Sequence, residues 1–255
     1  MVYQVQFLHE LKIRGILETV MKLSGPIELI KKSFKIFFKK ENLTYFLKIY
    51  APLLPFAIIG LLQENYINFD SQSLPGQFQF IDKYTWLALL MLIVGLLGIV
   101  LSFWVNASGI LAADGVLRGK RLSVKEIFRI TWKMLFRFSV LNIAIGLIVG
   151  VGLIFLIVPG VIFLVLFYFA MFELVTKGIG IREAMNNSKV LVKGKFWKVF
   201  GRVLIFGGFS ILTSIIFDLT PFGLGSILTT LLGALFIIPA LLLYEELDGS
   251  TRNLR

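Results

Sequence analysis

The chain has no cysteine and a single histidine, His9. Disulfides and thiol chemistry are therefore excluded, and a zinc site or a nucleophile–base pair has nothing to be built from. Charge is scarce too: Asp, Glu, Lys and Arg make up 16% of 255 residues, where soluble domains carry about 25%. So little polar surface could not cover a soluble fold of this size. Acids are the scarcer sign, 15 against 26 Lys and Arg, for a net charge of +11. They are scattered rather than paired, which leaves no carboxylate cluster for magnesium. The expectation is a non-enzymatic chain with no metal or cofactor.

The first 25 residues also lack an uninterrupted apolar run, because Glu10, Lys12, Arg14 and Glu18 break it. They do not read as a cleavable signal peptide. The spacing of Phe7, Leu11, Ile13, Leu17 and Met21 predicts an amphipathic helix within residues 1–23, ahead of a single membrane domain over 24–255.

Apolar mass is abundant. Hydrophobic residues reach 57%, mean hydropathy is +0.87, and the excess falls in runs of the length that crosses a bilayer, about 20 residues. Six spans are predicted: Tyr45–Leu62 with Pro52 and Pro55 inside it, Trp86–Ala112, Val140–Val158, a fourth from after Pro159-Gly160 to Val175, Val199–Phe217, and Gly223–Tyr244 with Pro239. The Pro159-Gly160 pair predicts a tight hairpin turn, and a second turn is expected over Asp218–Pro221. The fold class is thus all-α, a polytopic membrane protein.

Basic residues favour one side. Of the 26, only Lys83 falls in the segments assigned to the other side, which predicts both termini in the cytoplasm and the cytoplasmic membrane as the location.

A short pattern recurs three times, beginning at Glu28, Glu126 and Glu183. An acid is followed by two apolar residues and a polar one. A hydroxyl lies five positions after the acid (Ser33, Thr131, Ser188), and apolar residues lie at eight and nine. Each copy precedes an outgoing span and its returning partner. The architecture this implies is three parallel repeats, about 24–113, 122–176 and 181–245, each an amphipathic cytoplasmic helix plus a transmembrane hairpin. The acids would sit in the first helical turn and complement the helix dipole; the hydroxyls would pack against, or bond to, a neighbouring helix. Ile27, Ile30, Phe34 and Phe37 share one face of the first helix, beside Lys31, Lys35 and Lys39. Lys125, Arg129, Lys133 and Arg137 form a similar stripe on the second, and Lys189 and Lys193 on the third. A cationic face beside an apolar one suits a helix at the headgroup level, and such a collar accounts for the charge without nucleic acid; the alternative is that the stripes are topology signals of the positive-inside kind alone.

The run from Val158 to Arg202 carries Pro159, Gly160, Glu173, Gly178, Glu183, Ala184, Ser188, Leu191, Gly194, Phe196, Trp197 and Gly201. In that order it resembles the membrane domain of bacterial glycerophosphoryl diester phosphodiesterases and related six-span inner-membrane proteins (the YciC-like group). The resemblance implies a six-span cytoplasmic-membrane protein. It does not imply phosphodiester hydrolysis, which in that family belongs to a separate soluble domain.

Ionisable groups at membrane boundaries are the remaining site candidates. Glu173 and Asp114 each stand four residues before a base, Lys177 and Arg118, and i,i+4 pairing is the simplest reading. Asn106 and Asn142 are expected to donate between helices, and Gly95/Gly98, Gly146/Gly150 and Gly207/Gly208 to permit close helix packing. Two functions remain open: a membrane protein whose basic inner face engages anionic lipid or a membrane partner, and a transporter or pore for an uncharged or lipid-like substrate.

Overall fold

The computed structural model describes residues 23–59, 80–220 and 224–252. The predicted helix within 1–23 and most of the segment between the first two spans lie outside them. Every regular element among the described residues is helical. In chain order these are α1 (Pro26–Phe37), α2 (Lys40–Tyr50) and a 3-10 turn (Ala51–Leu53), then α3 (Phe80–Leu117), α4 (Val124–Phe155), α5 (Ile157–Phe167) and α6 (Ala170–Lys177). They are followed by α7 (Ile181–Val192), α8 (Phe196–Asp218), α9 (Leu224–Leu231) and α10 (Gly233–Arg252). Six stretches are long and apolar enough to cross a membrane: Lys40–Ile59, Leu89–Leu117, Val124–Phe155, Ile157–Lys177, Phe196–Asp218 and Leu224–Gly249. The chain is a multi-pass membrane protein.

Local chemistry explains the breaks. The first span narrows to a 3-10 turn where Pro52 removes a backbone donor. Gly119 and Gly178 end α3 and α6 with φ of 67° and 68°, the left-handed region that a side chain disfavours. The break after Asp218 falls where the sequence predicts it.

The hairpin turn between the third and fourth spans does not. It lies at Leu156, an extended residue (φ −156°, ψ 126°) between α4 and α5, while Pro159 and Gly160 sit inside the first turn of α5. Proline is tolerated there because the first-turn amides have no helical acceptor anyway. Gly160 is required for another reason: its backbone lies where a Cβ on Gly152 of α4 would stand, and a Cβ on Gly160 itself would collide with Leu153.

The segment after Glu126 also differs from expectation. After Glu28 and Glu183 a break separates the short helix (α1, α7) from the span that follows (α2, α8). After Glu126 the segment and the span form one unbroken helix, α4, of 32 residues. Ser123 and Glu126 start it with a capping box, each side chain serving the other's backbone amide.

Buried residues gather toward the end of the bundle that carries α1 and α7. Val105, Ala112, Phe169, Leu174, Ile238, Leu241 and Tyr244 pack there with Phe46 and Ile49 of α2, and with Leu29 and Phe37 of α1. Away from that end, Leu92, Leu96, Ile154 and Ile211 stand exposed, as lipid-facing side chains do. The glycines singled out for packing are mostly elsewhere: a Cβ at Gly95, Gly146, Gly150, Gly207 or Gly208 would meet nothing. Gly98 does approach Phe56, and Gly109 and Gly233 hold the ring of Tyr50 between them.

Candidate functional site

Two sets of polar side chains occupy the basic end, one turned inward and one outward. The inward set joins the ends of the returning helices. Glu173 is fully buried because α6, α7 and α10 enclose it. Lys177 Nζ lies 2.7 Å from one of its carboxylate oxygens and 3.0 Å from Asp248 of α10. The Tyr244 hydroxyl donates to Glu173 at 3.1 Å, and the Asn187 side-chain amide of α7 does so at 3.0 Å. A buried carboxylate is tolerable when it holds this many donors. Asp114 is organised alike: Arg118 reaches it at 2.8 Å and also Glu245 of α10 at 2.8 Å. Glu246 accepts the backbone N–H of Ser24 at 2.9 Å. The acids at the end of α10 thus tie down α3, α6 and the entry to α1. Both expected i,i+4 pairs are present. Asp248, Tyr244, Glu245 and Asn187 were not singled out in the sequence. One signal pointed toward Asp248: an acid, three residues, a base and then a glycine occurs at Asp114–Gly119 and again at Glu173–Gly178, with Asp248 and Arg252 at the same interval.

The repeated hydroxyls are all fully buried. Thr131 shares a 2.8 Å hydrogen bond with Ser108 of α3. Ser188 donates to the Leu166 carbonyl at 2.7 Å and accepts from the Phe169 amide at 3.2 Å, bridging the break between α5 and α6. Ser33 donates to Leu29 of its own helix at 2.8 Å. The residue after each acid (Leu29, Ile127, Ala184) is likewise fully buried. Glu28, Glu126 and Glu183 all lie in first turns. Asn106 and Asn142, expected to reach across helices, instead donate to the carbonyls four residues back, Ser102 and Phe138. In an apolar setting the nearest carbonyl satisfies the amide without ordering a second helix.

The outward set is cationic. Lys31, Lys35, Lys39, Lys125, Arg129, Lys133, Lys189 and Lys193 are all exposed, and none is in an ion pair with another described residue. Nearby acids are engaged elsewhere: Glu28 holds Lys32 at 2.9 Å and Glu41 holds Arg121 at 3.3 Å. The hydrogen bond it donates to Glu28 keeps the Lys32 ammonium above its ordinary pKa, whereas burial, with Lys198 nearby, pushes Lys195 down. Large apolar side chains stand among the cations: Ile27, Phe34 and Phe38 beside α1, Trp132 and Phe136 on α4, Trp197 on α8. α1 therefore has two apolar faces. Leu29, Ser33 and Phe37 meet the bundle, and Ile27 and Phe34 look outward, so Phe37 parts from the residues the spacing grouped it with.

No group of three or more His, Cys, Asp or Glu among the described residues could hold a metal ion. His9 lies outside them. Comparison with family models, with curated proteins and with solved structures finds no match.

Proposed function

We propose that the chain is a non-enzymatic cytoplasmic-membrane protein whose cationic inner end engages anionic lipid headgroups. The observation that carries this reading is the separation of the two polar sets. Glu173, Asp114, Glu245 and Asp248 pair inward, while eight exposed bases, interleaved with tryptophan and phenylalanine, are in no ion pair with another described residue. Near an anionic surface each such base contributes about 1 kcal/mol, and aromatic rings favour the same depth. The three acid-to-hydroxyl motifs support a threefold parallel repeat that presents this surface, since equivalent positions are buried in all three. The resemblance to the membrane domain of glycerophosphoryl diester phosphodiesterases agrees with a scaffold of this kind.

The test is reconstitution in bilayers of mixed phosphatidylglycerol and phosphatidylcholine, with the lipid in contact with protein read by spin label. Wild type is expected to enrich the anionic lipid at its boundary. Replacing Lys31, Lys35, Lys125, Arg129 and Lys189 together by Gln is expected to abolish most of that enrichment. Equal enrichment in both proteins would remove the proposal. A second reading, passage of an uncharged or lipid-like solute, draws on the interruptions in the first, fourth and sixth spans at Ala51–Leu53, Tyr168–Phe169 and Leu232. Discontinuous spans often line transport sites. Solute flux into proteoliposomes would favour it.

A further inference from the structure

α4 differs from α1 and α7 in carrying its bases straight into a span. Its 32 residues reach about 48 Å at 1.5 Å per residue, while the hydrocarbon core takes about 20 residues. Counting back that length from Phe155 arrives at Phe136, and Phe138–Phe155 contains no charged residue. The opening turns, with Lys125, Arg129 and Lys133, therefore stand in the headgroup layer and beyond, and Arg137 lies at its edge.

Helical geometry puts these groups on one side. At about 100° per residue, Lys125, Arg129, Trp132, Lys133 and Phe136 fall within a sector about 100° wide. Ile143 and Leu147 extend the same sector toward the far leaflet. The opposite side holds Ile127, Thr131, Met134, Phe138 and Leu141, all buried. The sector is open: Trp132 is 60% and Phe136 78% exposed. Trp132 is nevertheless fixed, lying edge-on to Trp104 of α3 at 5.0 Å, and Trp104 is itself anchored by donating to the Phe128 carbonyl at 3.2 Å. The nearby acid, Glu126, accepts from both the amide and the hydroxyl of Ser123, at 2.9 and 2.8 Å; it feels the charge of Arg129 but its hydrogen bonds serve the cap.

We infer that this face of α4 is a discrete site for one anionic phospholipid. Arg129 and Lys133 hold the phosphodiester, Trp132 sits at the glycerol level, and the acyl chains run along Phe136, Ile143 and Leu147. A phospholipid fits because the site offers cations and then an apolar track along one line, at the depths where its phosphate and its chains lie. The site rests on the lipid reading proposed above and makes it local.

Native mass spectrometry of the full chain released from phosphatidylglycerol/phosphatidylcholine nanodiscs counts the lipids that stay bound. One phosphatidylglycerol is expected to be retained preferentially. Arg129→Gln with Lys133→Gln should weaken that retention about 30-fold, from about fivefold per base. Lys40→Gln with Lys198→Gln, an equal charge loss on exposed bases outside the eight, should leave it unchanged. A brominated phosphatidylglycerol should quench Trp132 emission, read as the difference from Trp132→Phe, and brominated phosphatidylcholine should quench it less. Equal loss in both double variants, or equal quenching by both lipids, would overturn the site while leaving a diffuse cationic collar. No phosphatidylglycerol preference in wild type would overturn the collar as well. Matching melting temperatures separate lost binding from lost folding, and if the α4 variant melts early the quenching of wild type decides alone.

Discussion

Single side chains at the core of the bundle make demands that substitution can test. Tyr50 is almost fully buried between α2, α3 and α10, and its hydroxyl has no hydrogen-bond partner among the described residues. An unsatisfied buried hydroxyl costs about 1–3 kcal/mol. Tyr50→Phe is therefore expected to melt at or above the wild-type temperature in detergent, whereas Gly109→Ala or Gly233→Ala, which would thrust a methyl group into the same ring, should melt lower by the equivalent of about 1–3 kcal/mol. A lower melting temperature for Tyr50→Phe would mean that the hydroxyl holds a partner. At Glu173, alanine strands the Asn187 amide and leaves Lys177 only Asp248 and Tyr244 only Thr176, a loss of about 1–3 kcal/mol. Glu173→Gln keeps an acceptor for Tyr244 or Asn187 and should fall between alanine and wild type. If both variants melted like the native chain, the inward network would have no structural role.

At the scale of elements, spans were the most legible part of the sequence and turns the least. Uncharged runs such as Phe138–Phe155 announce a membrane helix on their own. Pro159-Gly160 misled because proline fits the first turn of a helix as well as it fits a loop, and only the contact between Gly160 and Gly152 shows which role applies. Similarly, a continuous α4 was hidden by its own composition: the bases of its opening turns look like a separate surface helix when read alone. Glu173 and Asp114 were visible because their partners lie four residues away. Asp248 and Tyr244 were not, since they meet Lys177 and Glu173 only when α10 packs beside α6. The capping box supplies the element-scale test. Ser123→Ala removes the acceptor for the Glu126 amide, 3.2 Å away, and should destabilise the start of α4 by about 1 kcal/mol. Amide exchange should quicken in the first turn of α4 while Phe138–Phe155 stays protected. Uniform quickening along the helix would mean that the cap does not act locally.

For the whole molecule, the proposed contact with inner-leaflet lipid depends on which compartment faces the cationic end. The chain has no cysteine, so a single introduced thiol reports position without background. Leu219, just beyond α8, is 81% exposed, and Lys120 follows α3 in an exposed turn at the opposite end of the bundle. The measurement is labelling of Leu219→Cys and Lys120→Cys in intact cells by a membrane-impermeant maleimide. Leu219→Cys is predicted to react at once and Lys120→Cys only after the membrane is opened. Labelling of Lys120→Cys in intact cells, with Leu219→Cys protected or equally reactive, would contradict the six-span arrangement with its bases on the inner leaflet.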